Sequence, residues 1–170
     1  MTVILTGPRR SGKTTLLRDV ATSWKRRGMS FGGILSLAVG SPEDVSGYDI
    51  YNLETGEVFP FLRREGHQEW EKTGRFAVLP GAVAAASEIM LRVSPDNPVI
   101  IDEAGPLELQ GRGWWPAAAR LLSTPSRPIL LVVRDGFLER FCTFAGLERP
   151  DVVSVDDPCA AVKIEGGLFG

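Results

Sequence analysis

The chain has 170 residues, 44% of them hydrophobic, and a formal net charge of −2 at pH 7, which suits one α/β domain with an ordinary core. The near balance of charge argues against nucleic acid or an anionic membrane as a partner, and no apolar run is long enough to predict a membrane span. Two cysteines, Cys142 and Cys159, are too few for a disulfide framework, and the amino terminus shows no signal-peptide pattern. We therefore expect a cytoplasmic protein. We also expect a monomer.

The first predicted elements are a strand, a glycine-rich loop and a helix. The strand covers Thr2–Thr6, and the loop after it matches the phosphate-binding pattern G-x-x-x-x-G-K-[ST] in full. Gly7 and Gly12 let the backbone turn tightly, so that loop amides and the helix amino terminus face an anion. Lys13 is predicted to contact the β- and γ-phosphates and Thr14 to ligate Mg²⁺. The predicted nucleotide-binding residues are Gly7, Pro8, Arg9, Arg10, Ser11, Gly12, Lys13, Thr14 and Thr15.

Strands and helices are predicted to alternate through the rest of the chain. The hairpin turn Glu54–Gly56 joins two of the strands. The polar stretch Arg63–Thr73 is predicted to be a surface segment in which His67 is solvated, and the tail from Asp156 onward carries little signal. The predicted elements are strands over 31–39, 45–53, 57–62, 75–79, 128–133 and 152–155, and helices over 82–93, from Trp114–Trp115 onward, and over 136–145. For the two tryptophans, packing of the helix is favoured over stacking on a base.

Two carboxylates end the predicted strand that begins at Val99. Asp102 and Glu103 follow an apolar run, and ligands of open α/β sheets bind at the carboxyl ends of the strands. Asp102 is therefore predicted to hold Mg²⁺ together with Thr14, and Glu103 to orient and deprotonate an attacking water.

Arg134 ends another strongly apolar strand, which brings it to the same edge if the sheet is parallel. Two roles are open for it. It either senses the γ-phosphate and stabilises charge in the transition state, or it pairs with Asp135 or Glu139.

Three further segments accompany the loop and the sequence D-E-A-G-P-L-E-L at Asp102–Leu109. They are Gly32–Gly33, G-Y-D-I at Gly47–Ile50 and G-R-F-A-V at Gly74–Val78. In order and spacing, over residues 1–122, the set resembles a family of small nucleoside-triphosphatases of archaea, thermophilic bacteria and vertebrates. The resemblance implies a three-layer α/β fold of the P-loop type, with a RecA-like, mostly parallel sheet and a β-hairpin insertion. It also implies Mg²⁺-dependent hydrolysis of ATP, GTP and other nucleoside triphosphates.

Three features depart from that family's pattern. Arg9 and Arg10 stand where the family loop has small residues, with Arg10 in place of a glycine. Val155–Pro158 stands where the family has an Asn-Arg segment, and Leu131–Arg134 replaces a strand end that contains Thr or His.

Three other functions stay open at this point. A nucleotide or small-molecule kinase would use the same loop, with Glu103 or Asp49 activating an acceptor hydroxyl. A GTP-binding switch fits D-x-x-G at Asp102–Gly105, although no N-K-x-D motif is present. An adaptor in a cofactor-assembly pathway would use the nucleotide only for its shape. The position of Glu103 directly after Asp102 favours hydrolysis.

Overall fold

Nine strands and five α-helices build the computed structural model, which describes residues 1–170. The strands are β1 Thr2–Gly7, β2 Gly32–Gly40, β3 Val45–Asn52, β4 Val58–Arg63, β5 Lys72–Thr73, β6 Phe76–Val78, β7 Val99–Ala104, β8 Ile129–Arg134 and β9 Asp151–Ser154. The helices are α1 Lys13–Arg26, α2 Ala82–Arg92, α3 Trp115–Leu122, α4 Leu138–Ala145 and α5 Ala160–Phe169, with short 3₁₀ turns at Glu108–Gln110 and Asp135–Phe137.

All nine strands join one sheet in the order β5-β6-β4-β3-β2-β7-β8-β1-β9. The five strands from β2 to β9 in that order pair in parallel, and β3, β4, β6 and β5 extend the sheet by antiparallel pairing. The hairpin of β3 and β4 is the predicted insertion, and the expected α/β fold class is confirmed.

The sheet buries both of its faces, because successive residues of its parallel strands point to opposite sides. In β1, Ile4 belongs to the core shared with α2, α3 and α4, whereas Val3 and Leu5 belong to the core shared with α1 and α5. Each core is continuous across the sheet, so the molecule has helices on both sides of it. This arrangement holds the carboxyl ends of β1, β7 and β8 together at one edge.

The tail holds a helix that the sequence did not predict. In α5 the buried residues Ala160, Ile164 and Leu168 are spaced by four and cover β1 and β9. The indole Nε1 of Trp24 donates to Glu165 Oε1 at 2.8 Å, which fixes this helix to α1. Gly166 and Gly167 weaken the local preference for a helix, so contacts with the core stabilise it.

Two other boundaries differ from the predictions. The polar stretch up to Thr73 ends in the short strand β5, which pairs with β6, and the predicted helix over 136–145 starts as a 3₁₀ turn before α4 begins at Leu138. No helix has both the length and the hydropathy needed to cross a bilayer.

Candidate functional site

A cavity of about 760 Å³ opens over the carboxyl ends of β1, β7 and β8 and continues toward the antiparallel part of the sheet. Its lining includes every predicted site residue except Gly7 and Pro8, the first two residues of the loop. The structure therefore brings the phosphate loop, the two carboxylates and Arg134 into one space, although these groups come from three different strands.

The phosphate loop turns tightly between β1 and α1. Gly12 has a φ of 89° and precedes the first turn of α1, and Gly7 has a φ of 153°. A Cβ on Gly7 would lie 2.5 Å from Val155 Cγ1, so only glycine fits under that side chain. Arg10 has a φ of 63°, in the left-handed region that a side chain makes costly.

Lys13 is 5% exposed, and its ammonium group turns back onto its own loop. Nζ donates to the carbonyl oxygens of Gly7 at 3.0 Å and Pro8 at 2.5 Å, and to Ser11 Oγ at 3.4 Å. Burial lowers the pKa of Lys13, while the nearby carboxylates Glu103 and Asp102 oppose that shift. The ammonium group of Lys13 thus links the carbonyl groups of the loop, and phosphate oxygens can accept the same hydrogen bonds.

Thr14 and Asp102 meet across the gap between α1 and β7. Thr14 Oγ1 donates to Asp102 Oδ2 at 2.7 Å. Ser36 of β2 completes the contact, since its amide donates to the same oxygen at 3.3 Å and its hydroxyl donates to the Asp102 carbonyl at 2.8 Å. Sequence reasoning missed Ser36, although it is the one polar residue within the apolar part of β2.

Asp102 is 2% exposed and forms no ion pair. Burial raises the pKa of Asp102 to about 7, and the neighbouring Glu103 carboxylate adds to the rise, while the hydrogen bond from Thr14 opposes it. The buried carboxylate of Asp102 and the hydroxyl oxygen of Thr14 form a pair of hard oxygen donors. Such a pair fits Mg²⁺, which binds through one or two protein oxygens and keeps its other positions for phosphates and water.

Glu103 and Arg134 face each other across the ends of β7 and β8 and form an ion pair. Glu103 contributes Oε1 to this ion pair, and Arg134 Nε makes no hydrogen bond, so the guanidinium keeps one unused donor. Arg134 therefore lies on the predicted edge, but its carboxylate partner is Glu103, whereas the sequence suggested Asp135 or Glu139. The pair places a positive charge and a candidate base next to each other.

The other predicted residues of the loop have no charged partners. Arg9, Arg10, Ser11, Gly12 and Thr15 line the cavity, and the two arginine side chains are exposed and form no ion pairs. The carbonyl groups of Gly7 and Pro8 are occupied by Lys13, as described above.

The far end of the cavity has an aromatic lining that the sequence did not predict as a site. We call the set Tyr48, Phe61, Phe76 and Trp114 the aromatic compartment. The Phe61 and Trp114 ring centroids lie 5.0 Å apart, and those of Tyr48 and Phe76 lie 5.5 Å apart in an edge-on arrangement. Helix packing is thus a real role of Trp114, as expected, but the residue also forms a wall of the cavity.

Glu108 lines the same cavity and begins the 3₁₀ turn between β7 and α3. Its side chain is 4% exposed, Oε2 accepts from the Gly105 amide at 2.9 Å, and Oε1 has no partner. Burial raises the pKa of Glu108 to about 7, and the Glu103 charge adds to the rise against hydrogen bonds from backbone amides. The protonated form of Glu108 can donate a hydrogen bond, whereas its carboxylate form only accepts.

Comparisons with known proteins agree with this arrangement. The family model described as NTPase matches residues 2–154. The nucleoside-triphosphatase THEP1 of Methanopyrus kandleri is 31% identical over 152 residues, covering 89% of this chain and 83% of the relative. The nucleoside-triphosphatase THEP1 of Thermococcus kodakarensis is 30% identical over 143 residues, covering 82% of this chain and 79% of the relative.

Two solved structures share the fold. The human cancer-related nucleoside triphosphatase superimposes with a TM-score of 0.74 at 22% identity, covering 97% of this chain and 94% of the other. THEP1 of Aquifex aeolicus superimposes with a TM-score of 0.73 at 19% identity, covering 98% and 96%.

Proposed function

The chain belongs to the NTPase family, whose curated relatives are nucleoside-triphosphatases, and from this premise we propose that it hydrolyses nucleoside 5′-triphosphates, ATP and GTP among them, to the diphosphate and phosphate in a Mg²⁺-dependent reaction. The family assignment confirms the resemblance seen in the sequence. The observation that carries the finer proposal is the 2.7 Å hydrogen bond from Thr14 Oγ1 to Asp102 Oδ2, with Glu103 next in the chain. It brings a phosphate loop, a metal-binding oxygen pair and a candidate base into one cavity.

The phosphate loop binds the triphosphate. Its amides and the amino terminus of α1 supply oriented donors, and Lys13 Nζ exchanges its carbonyl partners for oxygens of the β- and γ-phosphates. This exchange costs little, because the lysine is already buried and its charge gains an anionic partner.

Thr14 and Asp102 would hold Mg²⁺, which would neutralise charge on the triphosphate. Ser36 orients Asp102 through its amide and hydroxyl and so fixes the direction in which the carboxylate points. Burial raises the pKa of Asp102, and a bound cation would offset the cost of keeping this buried carboxylate charged.

Glu103 accepts the proton of the attacking water. The water oxygen forms a bond to the γ-phosphorus, the bond from that phosphorus to the β-γ bridging oxygen breaks, and the diphosphate leaves. Because Arg134 pairs with Glu103, we infer that the γ-phosphate competes for the guanidinium. Transfer of Arg134 to the γ-phosphate would free Glu103 as a base and stabilise the developing charge.

The first test measures phosphate release from ATP, GTP, CTP, UTP and one deoxynucleoside triphosphate, with and without Mg²⁺, for the wild type and Glu103→Gln. We expect turnover of several triphosphates, strict dependence on Mg²⁺, and a fall of roughly 10²-fold or more in kcat for the variant, because Gln cannot accept the proton.

Two controls make this test specific. Nucleotide affinity of Glu103→Gln, measured by calorimetry, is expected to stay near that of the wild type, and Glu139→Gln, an exposed carboxylate on α4, is expected to turn over normally. Full turnover by Glu103→Gln would show that another group activates the water. Tight binding without turnover by the wild type would contradict hydrolysis as the function.

A further inference from the structure

Arg10 has a backbone conformation that a side chain makes costly. Its φ is 63°, and Ser126 is the one other residue besides glycine with a positive φ. Glycine adopts this conformation freely, and the pattern G-x-x-x-x-G-K-[ST] accepts any residue at this position. The arginine side chain therefore adds a backbone cost that glycine would avoid.

No contact within the chain compensates for this cost. The Arg10 side chain is exposed, donates no hydrogen bond and forms no ion pair. The conformation itself serves the loop, because the amides of Arg10 and Gly12 are left without an acceptor, as in a backbone anion site. The choice of arginine over glycine is not explained by the loop, and costly backbone conformations of this kind cluster at ligand-binding sites.

The exposed charged residues that line the cavity are all positive and form no ion pairs. They are Arg9, Arg10, Arg18 and Arg75. The carboxylates of the lining differ, since Asp102 and Glu108 are buried and Glu103 pairs with Arg134. The whole chain has a net charge of −2, so this accumulation of unpaired positive charge is local. An anion that enters the cavity therefore finds arginines without carboxylate partners.

The position of Arg10 in the loop indicates which phosphates it contacts. The amides of such a loop bind the α- and β-phosphates, and the lysine reaches the β- and γ-phosphates. The proposed function, on which this step rests, places Glu103 and Arg134 at the γ-phosphate. Arg10 lies between Gly7 and Gly12, within the part of the loop that binds the α- and β-phosphates. Its planar guanidinium can donate to two phosphate oxygens at once.

We propose that the Arg10 guanidinium binds oxygens of the α- and β-phosphates, and that this contact offsets the backbone cost of an arginine in the loop. Lys13 then binds the phosphates as a buried cation and Arg10 as an exposed one. Because the α- and β-phosphates belong to both the triphosphate and the diphosphate, the contact stabilises substrate and product alike. Arg10 therefore sets the affinity for the nucleotide, whereas the rate of the chemical step depends on other residues.

The first experiment compares binding and stability in Arg10→Gly. ADP and an ATP analogue with nitrogen in place of the β-γ bridging oxygen are titrated by calorimetry, with Mg²⁺, into the wild type and the variant. The variant is expected to bind both ligands roughly tenfold more weakly, as for the loss of a hydrogen bond from a charged group. Without ligand its Tm is expected to rise, because glycine relieves the backbone strain. A purely structural role of Arg10 would not combine higher stability with weaker binding.

Three further variants separate the effect of strain from that of charge. Ser126→Gly removes the other positive φ, in an exposed turn outside the cavity, and is expected to raise Tm with unchanged affinity. Arg26→Gln removes an exposed arginine in the last turn of α1 and is expected to bind as the wild type does. Arg10→Lys keeps the charge without the planar guanidinium and is expected to recover part of the affinity.

The second experiment follows phosphate release from ATP with Mg²⁺. Arg10→Gly is expected to raise KM roughly tenfold without lowering kcat, since the lost contact is the same before and during the reaction. Weaker binding of the ATP analogue with unchanged binding of ADP would place the guanidinium at the γ-phosphate and overturn the assignment. Equal affinity of Arg10→Gly and the wild type for both ligands would overturn the contact altogether.

The two proposals fail in different ways. Hydrolysis of ATP by the wild type, together with unchanged nucleotide affinity of Arg10→Gly, would contradict only the Arg10 contact. Weaker nucleotide binding by Arg10→Gly, together with no hydrolysis by the wild type, would contradict only hydrolysis as the function.

Discussion

The two ends of the cavity are built from different groups. The end at the phosphate loop is formed by loop amides, a helix amino terminus and a few charged side chains at the carboxyl ends of parallel strands. The aromatic compartment is formed by rings from antiparallel strands and from the residue before α3. The first end is polar and charged, and the second is mostly apolar.

This difference explains how each end is encoded. An anion site made from backbone needs a loop of fixed length with glycines at fixed places, so one short segment specifies it. A shape-selective wall needs side chains that meet only after distant segments pair, and Phe61, Phe76 and Trp114 belong to three separate segments. The following predictions test whether the two ends are as separate as this comparison implies.

The largest effect is expected from Lys13→Ala. Loss of the ammonium group removes a charged donor to the phosphates, and turnover of triphosphates should fall by roughly 10³-fold. Calorimetry with a triphosphate and an assay of phosphate release check this prediction on one sample.

An exposed lysine of α1, Lys25, supplies the control, since Lys25→Ala should leave triphosphate affinity and turnover unaltered. Unchanged turnover by Lys13→Ala would show that the lysine does not act on the phosphates.

A smaller effect is expected from Glu108→Gln, a buried residue of the same cavity. The folded protein raises the pKa of Glu108 from its usual 4.5 to about 7, so between these values the folded state holds a proton that the unfolded chain has released. The contribution of Glu108 to the free energy of unfolding therefore falls as pH rises from about 4.5 to about 7 and stays level above that range. Gln cannot titrate. Across this pH range, the free energy of unfolding should therefore fall by roughly 1 to 3 kcal/mol less for the variant than for the wild type.

Thermal unfolding between pH 4.5 and 8, without metal or nucleotide, measures this difference. Asp102 adds a slope of the same sign to both proteins, because its pKa is also raised to about 7. Glu139→Gln, an exposed carboxylate, should follow the wild type. Parallel stability curves for Glu108→Gln and the wild type would show that Glu108 keeps an ordinary pKa.

The smallest effect is expected from Arg10→Gly in the phosphate loop. Arg10 has a φ of 63°, and replacing it by glycine should relieve about 1 kcal/mol of backbone strain. That gain corresponds to a rise of roughly 2–4 °C in Tm for a protein of this size. Arg9→Gly, next to it and without a positive φ, should lower Tm slightly instead, because glycine adds freedom to the unfolded chain. A lower Tm for Arg10→Gly would show that the arginine side chain stabilises the loop.

Much of the fold was predictable because short sequence patterns identify its helices, strands and turns. The phosphate loop, α1, the hairpin of β3 and β4, and the apolar strands β7 and β8 all appear near their predicted bounds. The helix α5 was not predictable, since Gly166 and Gly167 disfavour it locally and its three buried residues gain stability only against β1 and β9. The strand β5 was missed for a similar reason, because two residues show no periodicity.

The sequence by itself determined the phosphate end of the site. Local geometry is enough to position the phosphate loop and the carboxylates of Asp102 and Glu103. A strand followed by a tight turn brings the next side chains to the edge of the sheet. Only the tertiary structure decided which groups meet there. The pairing of Arg134 with Glu103, the contact of Ser36 with Asp102 and the unpartnered atoms of Glu108 and Trp114 arise from packing between segments far apart in the chain, and no local pattern of residues specifies such contacts.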